Sequence, residues 1–209
     1  SVIIFPTLFS SKKQTILAFD NIEIYINPKG AITTRIGDEE ISIKQTLSLR
    51  TWYKINVKIS IKGKVIISQK NLKNTKEKEE KNEIKILVKK KFSGKISLAA
   101  IVFEKDVYNH FNGKIESPSI DVDNKKKGHW DLSKNTSNTF VNSIIGPKLL
   151  LKNFPTRAVT SSKWDGSEMN WQNKSIHYAA IHFHEDDIYD FEWDTDFKLT
   201  IPKNMPSGI

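Results

Sequence analysis

Two histidines, His182 and His184, stand two residues apart in the run IHYAAIHFH, with Glu185, Asp186 and Asp187 directly after them. In an extended strand, residues two apart point to the same face. Two imidazoles and a carboxylate on one face form the donor set of a two-His-one-carboxylate metal site. The competing reading is structural: the histidines hydrogen-bond to neighbouring backbone and fix the exit of the chain. We expect the structural role and no metal.

Arg157 is the only arginine after Arg50. Its planar fork suits a bidentate clamp on a carboxylate, and Asp186, Asp187 and Asp190 are the candidates for a structural ion pair. Trp164-Asp165-Gly166 reads as a loop that caps a sheet. Trp164, Trp171 and Trp193 could line a sugar-stacking groove, but tryptophans in a β-sandwich more often anchor a core or an interface. Asp121, Asp123 and Asn124 have calcium-loop spacing, yet the segment lacks the glycine and distant glutamate of such a loop. Lys125, Lys126 and Lys127 also oppose a dication there, so no metal is expected. No glycine-rich phosphate loop, nucleophile elbow or His-Glu-x-x-His helix occurs. No catalytic residue can be assigned.

The elements that must position these groups are strands. Tyr53, Ile55, Val57, Ile59 and Ile61 alternate with Lys54, Asn56, Lys58 and Ser60, which makes a half-buried strand. Lys62-Gly63 predicts a two-residue turn into a return strand from Val65. Further strands are expected at 2–5, 15–19, 22–26, 31–36, 41–44, 84–89, 96–103, 115–120, 176–184 and 197–201. NTKEKEEKN (74–82) and DVDNKKKG (121–128) read as solvated loops. Residues 135–172 are irregular and rich in Asn, Ser and Thr. Strands every 8–12 residues with turns between them, and no helical apolar stripe, predict an all-β antiparallel β-sandwich or jelly roll. The expected division is 1–190 for the sandwich, return segment included, and 191–209 for the start of a next β-domain.

The chain has 209 residues, no cysteine and a formal net charge of +9. Absence of cysteine excludes disulfides, thiolate metal sites and a cysteine nucleophile. The charge is uneven: +14 over residues 1–160 and −5 over 161–209. Only Arg35, Arg50 and Arg157 are arginines, and the lysines fall on alternate strand positions and in loops, without interleaved aromatics. That is a solvated strand face rather than a nucleic-acid platform. The longest apolar stretch, 98–103, is too short to span a bilayer. No leader is visible. The opening Ser1 and the closing Ile209, in mid-pattern, read as an excerpt of a longer polypeptide, expected to be cytoplasmic.

Residues 1–133 resemble a concanavalin A-like, laminin-G-type jelly roll. The resemblance is carried by QTILAF (14–19), IEIYINPKGAITTRIG (22–37), WYKINVKI (52–59) and FNGKIESPSI (111–120). NFPTRAVTSSKWDG (153–166) and HYAAIHFHEDDIYDFEWDTDFKLTIPKNMPSGI (177–209) resemble the large (beta) subunit of the N,N-dimethylformamidase family. The sequence departs from that family at Ser161-Ser162-Lys163, where a glycine is usual. The resemblance implies a parent hydrolase of small formamides, working at a C–N bond with a mononuclear iron. It places the iron ligands, tyrosines and a carboxylate, in a downstream domain. This segment would then be a non-catalytic scaffold with no cofactor of its own. It would pack against other domains of the large subunit and against a small subunit. The alternative is a carbohydrate-binding, lectin-like module. A weaker third reading is polyanion binding by the lysine-rich face.

Overall fold

The computed structural model describes residues 1–209 except 61, 75, 87–93, 123–124, 135–136, 138, 186–192, 207 and 209. Period-two sequence becomes strands: β1 Val2–Pro6, β2 Gln14–Phe19, β3 Ile22–Ile26, β4 Ile32–Ile36, β5 Glu39–Ser42, β6 Tyr53–Ile59, β7 Lys64–Asn71, β8 Glu80–Lys85 and β9 Ile96–Leu98. They continue with β10 Ile101–Phe103, β11 Asp106–Tyr108, β12 Gly113–Glu116, β13 Ser119–Val122, β14 Lys125–His129, β15 Phe140–Val141, β16 Leu149–Leu150, β17 Thr156–Val159 and β18 Ala180–Phe183. One 3₁₀ turn, Ser175–Tyr178, precedes β18.

Seven strands form one antiparallel sheet in the order β17-β18-β12-β1-β6-β7-β8, and five form a second in the order β5-β4-β3-β2-β9. The predicted antiparallel β-sandwich is therefore what the chain builds. Its core lies between the sheets. Val2, Ile4, Ile55, Val65, Ile67 and Ile115 come from the larger sheet; Ile16, Leu17, Ile24, Ile26, Ile32 and Ile36 come from the smaller. Each fully buried aliphatic side chain contributes roughly 1.5–3 kcal/mol. A second cluster gathers Trp130, Leu132, Val141 and Ile181, with Trp130 Nε1 donating to the Pro147 carbonyl at 2.8 Å.

Several local expectations are corrected. The β6–β7 register pairs Ile59 with Val65, and Ser60 N donates to the Lys64 carbonyl at 2.9 Å. Three residues thus close the hairpin instead of two, with Gly63 at φ +80°. The strand expected over 96–103 breaks at Ala99, which turns at φ +63°. β9 there pairs with β2, whereas β10 pairs with β11. The 115–120 strand breaks in the same way at Ser117, φ +48°, before Pro118. Both predicted solvated loops are partly strand. β13–β14 is a hairpin with a register shift after Ile120, and β8 is a charged edge strand on β7. Charge along an exposed edge discourages further pairing, which is why these strands lack apolar alternation. Of the 176–184 strand only Ala180–Phe183 forms, and its first residues belong to the 3₁₀ turn. Residues 197–201 form no strand among the described residues: Phe197 and Leu199 are more than 80% exposed. A lone strand has no partner for its backbone groups, so an alternating sequence by itself cannot make one.

Candidate functional site

On β12 and β18, Ile115 faces Ile181 in the core, so the neighbours Lys114, Glu116 and His182 face outward. Lys114 pairs in register with His182, and His182 pairs with Thr156 of β17. The outward groups of β12 are covered by the segment that follows β17. Lys114 Nζ donates to Thr160 Oγ1 at 2.7 Å and to its carbonyl at 3.4 Å, and lies 5.2 Å from the centre of the Phe5 ring. Burial pulls its ammonium below the ordinary lysine value. Glu116 is buried and accepts a hydrogen bond from Ser162 N at 2.8 Å. Ser161 is buried too: its N donates to the His177 carbonyl and its Oγ to the Ile176 carbonyl, both at 2.8 Å. None of residues 161–163 takes a positive φ. A glycine is therefore not required at these positions, and the Ser161 hydroxyl supplies a tie that glycine would lack.

The same cover carries Trp164 and Asp165. Asp165 Oδ1 accepts from Ser167 N at 2.9 Å and lies 3.5 Å from Nδ1 of buried His177; its Oδ2 is 3.7 Å from Lys174 Nζ. The hydrogen bonds of Ser167 lead, with His177 and Lys174 adding to them, in holding the Asp165 carboxyl down to about 2. Asp165 thus ties the turn at Ser167 to His177 and Lys174. Trp164, Trp171 and Trp193 are 41%, 37% and 83% exposed, so none belongs to the core.

His182 and His184 share a face, with ring centroids 5.1 Å apart. His184 Nε2 is 3.2 Å from Thr156 Oγ1. Glu185 does not turn toward them: its carboxylate meets His110 Nδ1 at 3.2 Å, and its backbone N donates to Asn112 Oδ1 at 2.7 Å. Among the described residues, no three His, Asp or Glu side chains gather as a metal-binding group. Asp186 and Asp187 lie outside the described residues, as do Asp190 and the Asp123-Asn124 part of the calcium-like spacing. Arg157 is buried, and burial lowers its guanidinium from the ordinary arginine value. Its Nη1 donates to the carbonyls of Ser137 at 3.1 Å and Phe140 at 3.4 Å, tying β17 to the irregular segment.

A cleft of about 240 Å³ opens at one end of the sandwich, lined by Ser10, Lys12, Lys13, Tyr108, His110 and Glu185 together with Val107 and Asn109. The sequence reading missed it, because its walls come from three segments far apart in the chain; His110 and Glu185 alone are 75 positions apart. Nearby, the outer face of the smaller sheet holds a buried carboxylate, Glu23. It accepts from Lys13 Nζ at 2.7 Å, Thr15 Oγ1 at 2.7 Å and Arg35 Nη2 at 3.0 Å. Burial pushes this carboxyl up, but the three hydrogen bonds outweigh that and hold it below the ordinary value.

No protein-family model matches the chain. Two curated relatives do. The N,N-dimethylformamidase beta subunits of Alcaligenes sp and Paracoccus aminophilus are each 30% identical over 125 aligned residues, covering 48% of this chain. The match spans 16% of the length of each relative. No helix among the described residues is long and apolar enough to cross a membrane. The chain is thus distantly related, over about half its length, to a subunit of a formamide-cleaving enzyme.

Proposed function

We propose that this chain is a non-catalytic β-sandwich domain of a formamidase-like C–N hydrolase large subunit, ending near residue 190 with a lead into a further β-domain. The observation that carries the reading is the similarity to two beta subunits, of which this chain matches a small part. The surface supports it. Trp193, Phe197, Leu199, Ile201 and Met205 are each more than 60% exposed. Apolar side chains gathered on one exposed stretch mark a surface that another domain or subunit covers. Iron, implied by the resemblance, would be held outside this segment. The domain's work would be mechanical: its two-sheet body fixes the 160–178 cover, and that cover and the apolar tail meet neighbours of a cytoplasmic enzyme. The test is to supply the purified 209-residue chain with ferrous or ferric iron and N,N-dimethylformamide, and to measure dimethylamine release. No release above the iron-only control is expected; turnover would overturn the scaffold reading.

A second reading, carbohydrate binding, is favoured by one observation. Tyr108 is 42% exposed and lines a cleft whose other walls, Val107 apart, are polar.

A further inference from the structure

We propose that the cleft between the β1–β2 loop, strand β11 and Glu185 binds the ring of a neutral saccharide. The inference rests on the carbohydrate-binding reading above and gives it a place and a ligand class. The exposed tryptophans Trp164, Trp171 and Trp193 are the competing place.

The cleft is small. Its volume of about 240 Å³ suits a single sugar-sized ring, below the ~300–1,000 Å³ of pockets for larger ligands. Tyr108 forms an aromatic wall. It sits at the end of β11, which pairs with β10 in a two-stranded sheet among the described residues, and it is 42% exposed. An exposed aromatic side chain beside polar groups is an apolar surface that water hydrates poorly. It suits the C–H face of a pyranose ring, which presents apolar hydrogens on one side and hydroxyls around its rim.

The polar walls carry both signs. Lys12 Nζ is a donor on an exposed side chain, while Lys13 is already engaged with Glu23 at 2.7 Å. The Glu185 carboxylate is an acceptor, oriented by His110 at 3.2 Å. A free anion would meet Glu185, and a free cation would meet the lysines. Vicinal hydroxyls fit better, because each can accept from a donor such as Lys12 and donate to an acceptor such as Glu185 at the same time. The walls are also pinned. Thr15 N donates to the Asn109 carbonyl at 2.8 Å, and Asn112 Oδ1 accepts from Glu185 N at 2.7 Å. A pre-organised cleft loses less on binding than a mobile one.

The test is a titration of the ¹⁵N-labelled chain with the methyl glycosides of glucose, galactose, mannose and N-acetylglucosamine, followed by amide shifts. At least one glycoside should give saturable shifts in Lys12, Asn109 and His110. Tyr108→Ala should weaken that binding about tenfold or more, which corresponds to about 1.4 kcal/mol. Tyr108→Phe, which keeps the ring, should bind within about threefold of the parent, a difference under 1 kcal/mol. Methyl glucuronide should bind no more tightly than the matching neutral glucoside. Binding that survives Tyr108→Ala but is lost in Trp171→Ala would overturn the cleft while sparing the carbohydrate reading. Silence across the whole panel would overturn both, and would leave the scaffold reading untouched.

Discussion

Replacing Glu23 by glutamine should destabilise the fold by about 2 kcal/mol at neutral pH, and the loss should fade in acid. The side chain is 3% exposed and accepts charge-assisted hydrogen bonds from Lys13 and Arg35 as well as a neutral one from Thr15. Hydrogen bonds to a charged group are worth about 1.5–3 kcal/mol each when sheltered. Here the two cations are 33% and 42% exposed, so water replaces part of what they lose, and about 1 kcal/mol per pair is the appropriate scale. Glutamine keeps the shape and can still accept from Thr15, so the loss falls on the two ionic bonds. The sign with pH follows from the depressed folded-state value. The carboxylate's contribution is complete above its ordinary value of 4.5 and is lost as pH falls through the lower folded-state value. Parent and variant should therefore converge as the pH drops. Urea unfolding followed by tryptophan fluorescence measures this, since Trp52 and Trp130 are buried. Other acid effects act on both proteins and cancel in the difference. A variant as stable as the parent at pH 7, or a gap that stays constant in acid, would refute the reasoning.

Gly113→Ala should cost at least about 2 kcal/mol, because overpacking and an incompatible φ act together. Gly113 sits at φ +148°, and an added Cβ would meet the Phe5 carbonyl oxygen, the Phe111 ring and the Pro6 Cα of β1. An unchanged urea midpoint would count against this account of the β1–β12 contact. Asp165→Asn should loosen the 161–178 cover, read as faster amide exchange at Ser161 and His177. In the parent, the carboxylate form persists down to about 2. The contribution of Asp165 is complete above its ordinary 3.8 and is lost as pH falls toward 2. Exchange rates equal in parent and variant at neutral pH would remove Asp165 from that role.

Much of the fold was legible because period-two alternation reports burial directly. The alternating run from Tyr53 reappears as β6, and Ile22–Ile26 as β3. Sheet edges were illegible for the same reason. β8 and β14 carry lysine and glutamate on sides that no core covers, so their strand character comes from hydrogen bonding to β7 and β13. The Phe197–Ile201 stretch is the converse: it has the alternation but no neighbour to pair with among the described residues.

The candidate residues divide likewise. That His182 and His184 share a face followed from spacing, and it holds. What stands opposite them did not follow, since strand order alone brings Thr156 beside His184 and turns Glu185 toward His110. Lys114 and Glu116 drew no notice in the sequence because a lysine and a glutamate are ordinary surface residues. Glu116 becomes buried and Lys114 half-buried only when the chain after β17 lies across β12. By itself the sequence determined a two-layered β body, through a side-chain period that only strands satisfy. Tertiary structure alone decided which distant segments meet at the cleft, because contacts between residues 75 positions apart depend on strand order, which local periodicity does not encode.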